Sequence, residues 1–433
     1  MQSVIIHVKR YSIWVITLIL LVAAALRLWA LPQLPVGLHY DEAANAILTR
    51  QITTGNYWPL FIRAYTGKEV LFFYAAAPWV WMTGGAAWGL RFGAAMVGVL
   101  TIAATYTMTR ALLEAGKRAR WAALLSAAWM AVLFPHVLLS RYGFRAISQP
   151  LLQALTVTAL WHGLRTRKHR WLIASGACLG LTGYTYLAAR LFPIPLGLAM
   201  GYLLIHTPKQ QRARQSGHLV LTLAAAIIVF APLGLYFVRN PETFTTRIAQ
   251  VAAPSWQDAA RGFWHCIEAL AWPGKGDAYV RFNVPGRPIL DGISGLLALG
   301  GWISLLFTSR RDALGRSAVF FLTAVLAIMV LPSALATSEI TPSNLRMVGL
   351  FPFLAIFPAW GTMRLLEILQ RLKIGRPFFA NNHRDTENTE RNTRKLRGLC
   401  VSVVKSSPIA PLFLSISILL LAGGIGTWRT YVS

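Results

Sequence analysis

Two adjacent acids, Asp41 and Glu42, stand in the stretch GLHYDEAANAILTR, just after the first long apolar segment. The chain has only 15 Asp and Glu in 433 residues, so an acidic pair at the end of an apolar run points to chemistry. A carboxylate partly shielded from water at a membrane surface has the basicity to take a proton from a hydroxyl as its oxygen attacks a sugar carbon. The same residues also read structurally: Asp41 as N-cap and Glu42 in the first turn of a helix running through AANAILTRQI. The two readings are compatible, because a capped helix is a rigid mount.

The other chemistry-bearing residues are mostly basic. Lys68 and Glu69 lie in YTGKEVLFFY, where an ammonium can hold a lipid phosphate or snorkel to the head groups. Arg91, Arg141, Arg145, Arg190 and Arg346 fall at the ends of apolar runs, where the alternative to phosphate binding is interfacial anchoring or an ion pair. Arg190 stands out because Tyr184 and Tyr186 precede it in YTYLAAR, a cluster able to pack on a lipid or sugar.

What positions these residues is a set of membrane spans. Hydrophobic residues make up 55% of the chain against 13% charged, and apolar runs of about 20 residues recur from end to end. The net charge of +27 is split into short clusters between those runs, which argues against nucleic acid and for the positive-inside rule. Lys9/Arg10, Lys117/Arg118/Arg120, Arg165/Arg167/Lys168/Arg170, Lys209/Arg212/Arg214, Arg310/Arg311/Arg316 and the basic stretch from 371 to 405 recur after every second crossing. Placing them inside predicts about 11 spans, near 11–31, 88–112, 120–139, 146–164, 171–188, 191–206, 217–238, 293–308, 317–336, 347–369 and 409–428. The apolar opening has no small-residue cleavage site, so a retained first helix with a cytoplasmic N-terminus is expected.

The run from Val70 to Gly85 is short, carries Pro78, and as a span would place the Lys117 cluster outside. It is expected to lie flat at the outer interface, where Tyr74, Trp79 and Trp81 suit a half-wet level.

This topology leaves two long outer loops, 32–87 and 239–292, and function is expected where they meet. The second carries Asp258, His265, Glu268, Asp277, Arg281, Arg287 and Asp291. The polar Asn/Thr/Arg-rich stretch at 371–408 reads as a cytoplasmic linker between a 1–370 membrane domain and a last helix within 409–433. Cys178, Cys266 and Cys400 fall in a span, an outer loop and the linker, so no disulfide or cysteine metal site is expected. No Gly-rich loop between a strand and a helix suggests a nucleotide site. Few ionisable residues lie within the spans, which disfavours a transport path.

The chain resembles the protein mannosyltransferase and aminoarabinose transferase group, glycosyltransferase family 39 in the broad bacterial sense, with the multispan GT-C architecture. The resemblance rests on Asp41-Glu42 in the first outer loop, Gly67-Lys68 opening an interfacial segment and Arg91 in WGLRFGAAMVG. It continues through SRYGFRAISQPLLQAL, GYTYLAARLFP, GDAYVRFNVPGRPILDGISGLLALGGW and PSNLRMVGLFP, covering most of residues 10–370. Lys68 is followed by Glu69 and Val70 where better-studied members have prolines, and the soluble outer domain of some relatives is missing.

The resemblance implies an all-α, polytopic membrane protein with interfacial helices in the first outer loop. It implies an enzyme, a hexosyl or pentosyl transferase of class EC 2.4, that moves a sugar with inversion from a polyprenyl-phosphate to a hydroxyl of an acceptor glycan, lipid or protein. Asp41 matches the family's catalytic acid, with Glu42 beside it. Lys68, Arg91, Arg190 and Arg346 are then donor-phosphate candidates, and Tyr40, Glu69, Tyr184, Tyr186 and Asp277 would line the substrate. No cofactor is expected. A divalent metal at His39, Asp41 and Glu42, or at His265 and Glu268, is the lesser alternative. The expected setting is the plasma (inner) membrane, part of the cell envelope in a prokaryotic host, with the site on the extracytoplasmic face. The competing functions are a transporter or flippase of lipid-linked sugars and an envelope-polymer ligase.

Overall fold

The computed structural model describes residues 2–55, 57–65, 67–113, 116–308, 312–371 and 415–432. The expected linker beyond Arg371, with Cys400, and the residues Glu114, Arg310 and Arg311 lie outside the described residues. Each expected span carries helix. They are α1 (Gln2–Leu28), α4 (Ala87–Leu112), α5 (Lys117–Val132) with α6 (Phe134–Leu139), α7 (Ser148–Thr166), α8 (His169–Thr182), α9 (Pro193–His206), α10 (Lys209–Arg239), α13 (Gly292–Phe307), α14 (Ala313–Ile328) with α15 (Leu331–Ala334), α16 (Phe351–Leu354) with α17 (Ile356–Arg371), and α18 (Gly424–Val432) after a π-helical turn. Among the described residues, five helical runs are long and apolar enough to cross a membrane: Ala87–Leu112, Leu187–His206, Lys209–Arg239, Ala313–Ala334 and Val348–Gln370.

Two departures from continuous helix matter for the site. The 120–139 span breaks at Leu133, which is extended, because Pro135 can only enter a helix in its first turn. The 171–188 span stops at Thr182, and after an extended Tyr186 a 3₁₀ turn follows at Leu187–Leu191. That break frees Tyr186 and Arg190 from a regular helical face at the end of the bundle.

Small residues set the closest helix approaches. A Cβ on Gly301 of α13 would sit 2.0 Å from the Phe357 carbonyl oxygen of α17, and one on Gly361 of α17 would sit 2.0 Å from that of Leu297. Such contacts let helices pack where lipid gives no hydrophobic drive between them. At the end of α1 the buried Arg27 donates to the Ala23 and Ala131 carbonyls at 3.0 and 2.9 Å and lies 3.0 Å from His136 Nδ1. It serves as a cation on helix-end carbonyls.

The first long loop, expected on the outer side, folds as α2 (Tyr40–Thr53), a short hairpin and α3 (Leu71–Met82). In the hairpin β1 (Phe61–Ile62) pairs antiparallel with β2 (Lys68–Glu69), Ile62 opposite Lys68 and Phe61 opposite Glu69. This two-residue pairing is a minor element in a chain that is otherwise helical, as expected. Gly67 takes φ +90°, and a Cβ there would also meet the Phe61 ring at 2.9 Å, so the tight turn needs glycine. The turn buries both Lys68 and Glu69 to 2% exposure. The Leu71 N–H donates to the Tyr184 carbonyl at 3.0 Å, tying the loop to the break after α8.

The second long loop contributes α11 (Pro241–Val251), α12 (Trp256–Glu268) and the segment that follows. The loops meet through Arg63, which donates to Tyr236 Oη at 2.8 Å and to Asn240 Oδ1. They meet again where His39 reaches Tyr279.

Candidate active site

The N-cap of α2 is His39, not Asp41 as the sequence suggested: its Nδ1 accepts the Asp41 N–H at 3.2 Å. Shifted by two positions from the cap, Asp41 turns its carboxylate outward, 37% exposed, while Glu42 points inward with no exposure. Helix geometry separates neighbours by about 100°, so one acid faces solvent and the next faces protein.

Asp41 lines a cavity of about 540 Å³ together with Asn45, Tyr65, Lys68, Arg145, Tyr186, Arg190, Arg247 and Arg346. Its apolar lining includes Leu187, Leu191, Ile248, Val251, Leu335 and Leu345. Lys68 Nζ lies 3.4 Å from Asp41 Oδ1 and donates to Asn45 Oδ1 at 3.1 Å. Asn45 is held in turn by its side-chain N–H, which donates to the Gly143 carbonyl at 2.8 Å. Burial, then the Arg145 guanidinium, lowers the Lys68 ammonium to about 8, outweighing the pull of Asp41 and Glu69.

Glu69 sits behind this wall as a bridge. Arg145 Nε donates to its Oε2 at 3.1 Å and Arg190 Nη2 lies 3.5 Å from its Oε1. Arg145 stacks over the Tyr186 ring at 5.3 Å and Arg190 over Phe244 at 4.2 Å. Two guanidiniums on one carboxylate leave positive charge directed at the cavity. A second such arrangement joins the second long loop to the segment after α15, where Glu339 bonds both Arg247, at 2.9 Å, and Arg346.

The structure thus gathers Asp41, Lys68, Tyr186, Arg190 and Arg346 at one cavity, with Glu69 beneath it. The remaining sequence candidates are directed elsewhere. Glu42 takes Arg91 in a two-pronged pair at 2.8 and 2.9 Å and also accepts the Gly143 N–H at 3.0 Å. Arg91 spends its other donors on the Pro35 and Gly37 carbonyls at 2.8 and 2.6 Å. Arg141 is likewise committed to the carbonyls of Leu26, Trp29 and Leu34.

Tyr184 does not line the cavity because its hydroxyl bonds the α10 backbone, donating to Val229 O and accepting from Leu233 N–H, around Pro232, which breaks the local helical bonding. Asp277 is buried, accepts the N–H groups of Tyr279 and Asn344 at 2.8 and 2.7 Å, and has its carboxyl raised by burial. Tyr40 is 73% exposed, outside the cavity lining, with its ring 4.3 Å from that of His39. His265 lies 3.2 Å from Glu268 on α12. Among the described residues no group of three His, Cys, Asp or Glu could hold a metal, since Glu42 turns away from His39 and Asp41.

Sequence reading missed Asn45, Tyr65, Arg247 and Glu339. Asn45 was legible as the residue one turn after Asp41, which shares its helical face. Arg247 and Glu339 carried no local signal, because their partner choice is made by tertiary contact.

Residues 69–236 match the profile of the family described as dolichyl-phosphate-mannose-protein mannosyltransferase. No curated protein sequence matches the chain. The fold is similar to that of ArnT from Cupriavidus metallidurans, crystallised both with undecaprenyl phosphate bound and in the apo state. The bound form aligns with TM-score 0.54 and 15% identity over 98% of this chain and 75% of that one. The apo form aligns with TM-score 0.58 and 14% identity, over 98% and 76%. The Archaeoglobus fulgidus oligosaccharyltransferase, in complex with zinc and sulfate, gives TM-score 0.54 and 13% identity over 95% of this chain and 53% of that one. The family match covers residues 69–236 and the fold likeness nearly the whole chain, and the protein is a polytopic helical membrane protein with a fold similar to that of ArnT.

Proposed function

We propose that the protein transfers a sugar from a polyprenyl-phosphate donor to a hydroxyl of a glycan, lipid or protein acceptor, on the extracytoplasmic face of the plasma (inner) membrane. The single observation carrying this reading is the pairing, in one cavity, of a part-exposed carboxylate, Asp41, with the cations Lys68, Arg145 and Arg190. Asp41 takes the proton of the acceptor hydroxyl. The freed oxygen forms a bond to the anomeric carbon from the face opposite the phosphate, the carbon–oxygen bond to phosphate breaks, and its electron pair leaves on the phosphate. Attack from the opposite face inverts the anomeric centre.

Negative charge grows on the leaving phosphate, and preorganised cations lower that barrier without reorganising. Lys68, Arg145 and Arg190 supply them, and Arg346 with Arg247 extends the positive wall. The apolar half of the cavity suits a lipid chain, and Tyr186 offers a flat face to a sugar. The chemistry needs no nucleotide, and no metal ligand set is assigned.

The test is transfer from radiolabelled polyprenyl-phosphate hexose by purified protein. Asp41→Asn is expected to lose turnover by about 10²-fold or more, the range of a positioned general base, while inserting normally. Near-normal turnover in that variant overturns the role of Asp41. Label crossing a vesicle without bond cleavage would instead make the protein a transporter.

A further inference from the structure

Resting on the reading of Asp41 as the base, we propose that His39 is its positioning residue: in the neutral Nε2–H form it caps the turn that carries the carboxylate and latches α2 to the second long loop, and protonation at Nδ1 breaks the cap and pulls the carboxylate out of place. The tautomer follows from the bonds. A backbone N–H only donates, so His39 Nδ1, which takes the Asp41 N–H at 3.2 Å, is the acceptor nitrogen. The ring proton is then on Nε2, which faces Tyr279 Oη at 3.2 Å and donates to it.

The ring has little freedom. His39 is 5% exposed, with its centroid 4.3 Å from that of Tyr40, 6.0 Å from Phe144 edge-on and 6.5 Å from Tyr279 edge-on. Its partner is anchored as well. The Tyr279 N–H donates to Asp277 Oδ1, Asp277 Oδ2 accepts the Asn344 N–H, and the Asn344 side chain donates to the Phe282 carbonyl at 3.2 Å. A continuous set of hydrogen bonds therefore joins the base on α2 to the segment bearing Arg346. Asp41 and Arg346 line the same cavity, so His39 holds two of its walls in register.

Protonation inverts this arrangement. Once protonated, Nδ1 can no longer accept the Asp41 N–H and is driven away from it. The Asp41 Oδ2, 3.9 Å from Nδ1, becomes the attractive partner instead. The carboxylate is then drawn from the cavity toward the ring and loses basicity at once. The charged and titratable groups facing His39 are Asp41 and Glu42 on α2, Lys68 on β2, and Tyr40, Tyr279 and Arg281 around the ring. Burial, followed by Arg281, prevails over the two acids and holds the imidazole below its ordinary value, so the neutral form is the working form at neutral pH.

The test combines kinetics with ring ¹⁵N NMR on the full chain in nanodiscs. Three variants are compared with wild type, using radiolabelled polyprenyl-phosphate hexose from about pH 5 to about pH 8. His39→Asn keeps a capping acceptor, so it is expected to retain kcat within about threefold at neutral pH and to lose the wild type's acid limb. His39→Leu, without an acceptor, is expected to lower kcat by ~10-fold to ~100-fold across the range with donor KM nearly unchanged. Tyr279→Phe is expected to lose less. The ¹⁵N spectrum, assigned by the signal missing from His39→Asn, is expected to show an Nε2–H imidazole at pH 7. An Nδ1–H or doubly protonated ring there overturns the proposal whatever the activity. So does an acid limb unchanged in His39→Asn, or equal losses in His39→Asn and His39→Leu. Turnover surviving Asp41→Asn would instead sink the underlying assignment of the base.

Discussion

Asp41 and Glu42 are neighbours on one helix, and they have opposite fates. Glu42 is fully buried, and its oxygens take both prongs of Arg91 and the Gly143 N–H. Asp41 is more than a third exposed and shares one oxygen with Lys68, leaving capacity for a substrate. A charge whose bonds are all made inside the protein holds structure. One whose bonds are incomplete, on the wall of a cavity, is available for chemistry. The same contrast separates Arg91 and Arg141, spent on carbonyls, from Arg145 and Arg190, which share one carboxylate and still face the cavity.

The contrast is broken most sharply at Arg91. Arg91→Leu leaves Glu42 as an uncompensated buried charge and is expected to cost about 3–5 kcal/mol of stability. Thermal unfolding in detergent or nanodiscs measures this. Adding Glu42→Leu removes the stranded charge, so the double variant is expected to recover much of the loss while leaving the Pro35, Gly37 and Gly143 backbone groups without their partners. Asp41→Asn must show the reverse pattern, with turnover lost and the melting temperature nearly unmoved. If Arg91→Leu melts like wild type yet fails in catalysis, the division between the two acids is wrong.

Much of the architecture was legible beforehand, because span length and Lys/Arg clusters between apolar runs are local properties that survive folding. Each expected span holds helix, and the first loop carries the acid and lysine that converge on the cavity. What could not be read was partner choice. Arg91, Arg145 and Arg190 look alike as span-end arginines, and only tertiary contact sends Arg91 to Glu42 and the other two to Glu69. The cap of α2 was misplaced by two residues because His39, a less usual capping residue than Asp, supplies the acceptor. Tyr184 and Tyr186 are two apart, yet the helix break after Thr182 sends one to the α10 backbone and the other to the cavity.

Lys68 sharpens the comparison on the chemical side, since it is buried like Glu42 but bonded like Asp41. Replacing it with Met removes a cation aimed at the leaving phosphate, and turnover is expected to fall by about 10²-fold. Its depressed value also sets opposite signs for activity and stability. The free enzyme loses the ammonium as pH rises through about 8, so kcat/KM should decline above that point. Between there and its ordinary value near 10.5 the unfolded chain holds the proton and the folded chain does not, so this group makes folding more favourable as pH rises. A kcat/KM profile flat to pH 10 would remove Lys68 from phosphate binding.

The smallest expected effect lies at the two tyrosines. Tyr184→Phe removes a hydroxyl that accepts the Leu233 N–H at 3.2 Å and donates to Val229 O at 3.1 Å, beside Pro232. Stability should fall by about 1 kcal/mol, with kcat and donor KM within twofold of wild type. Tyr186→Leu should do the opposite, because the aromatic face under Arg145 on the cavity wall is lost. Donor KM is then expected to rise about threefold to tenfold, in line with about 0.5–1.5 kcal/mol for an aromatic contact. Equal effects from both substitutions would mean that the break after α8 positions neither ring for substrate, and the cavity's aromatic wall would have to be sought on the second loop, at Trp256.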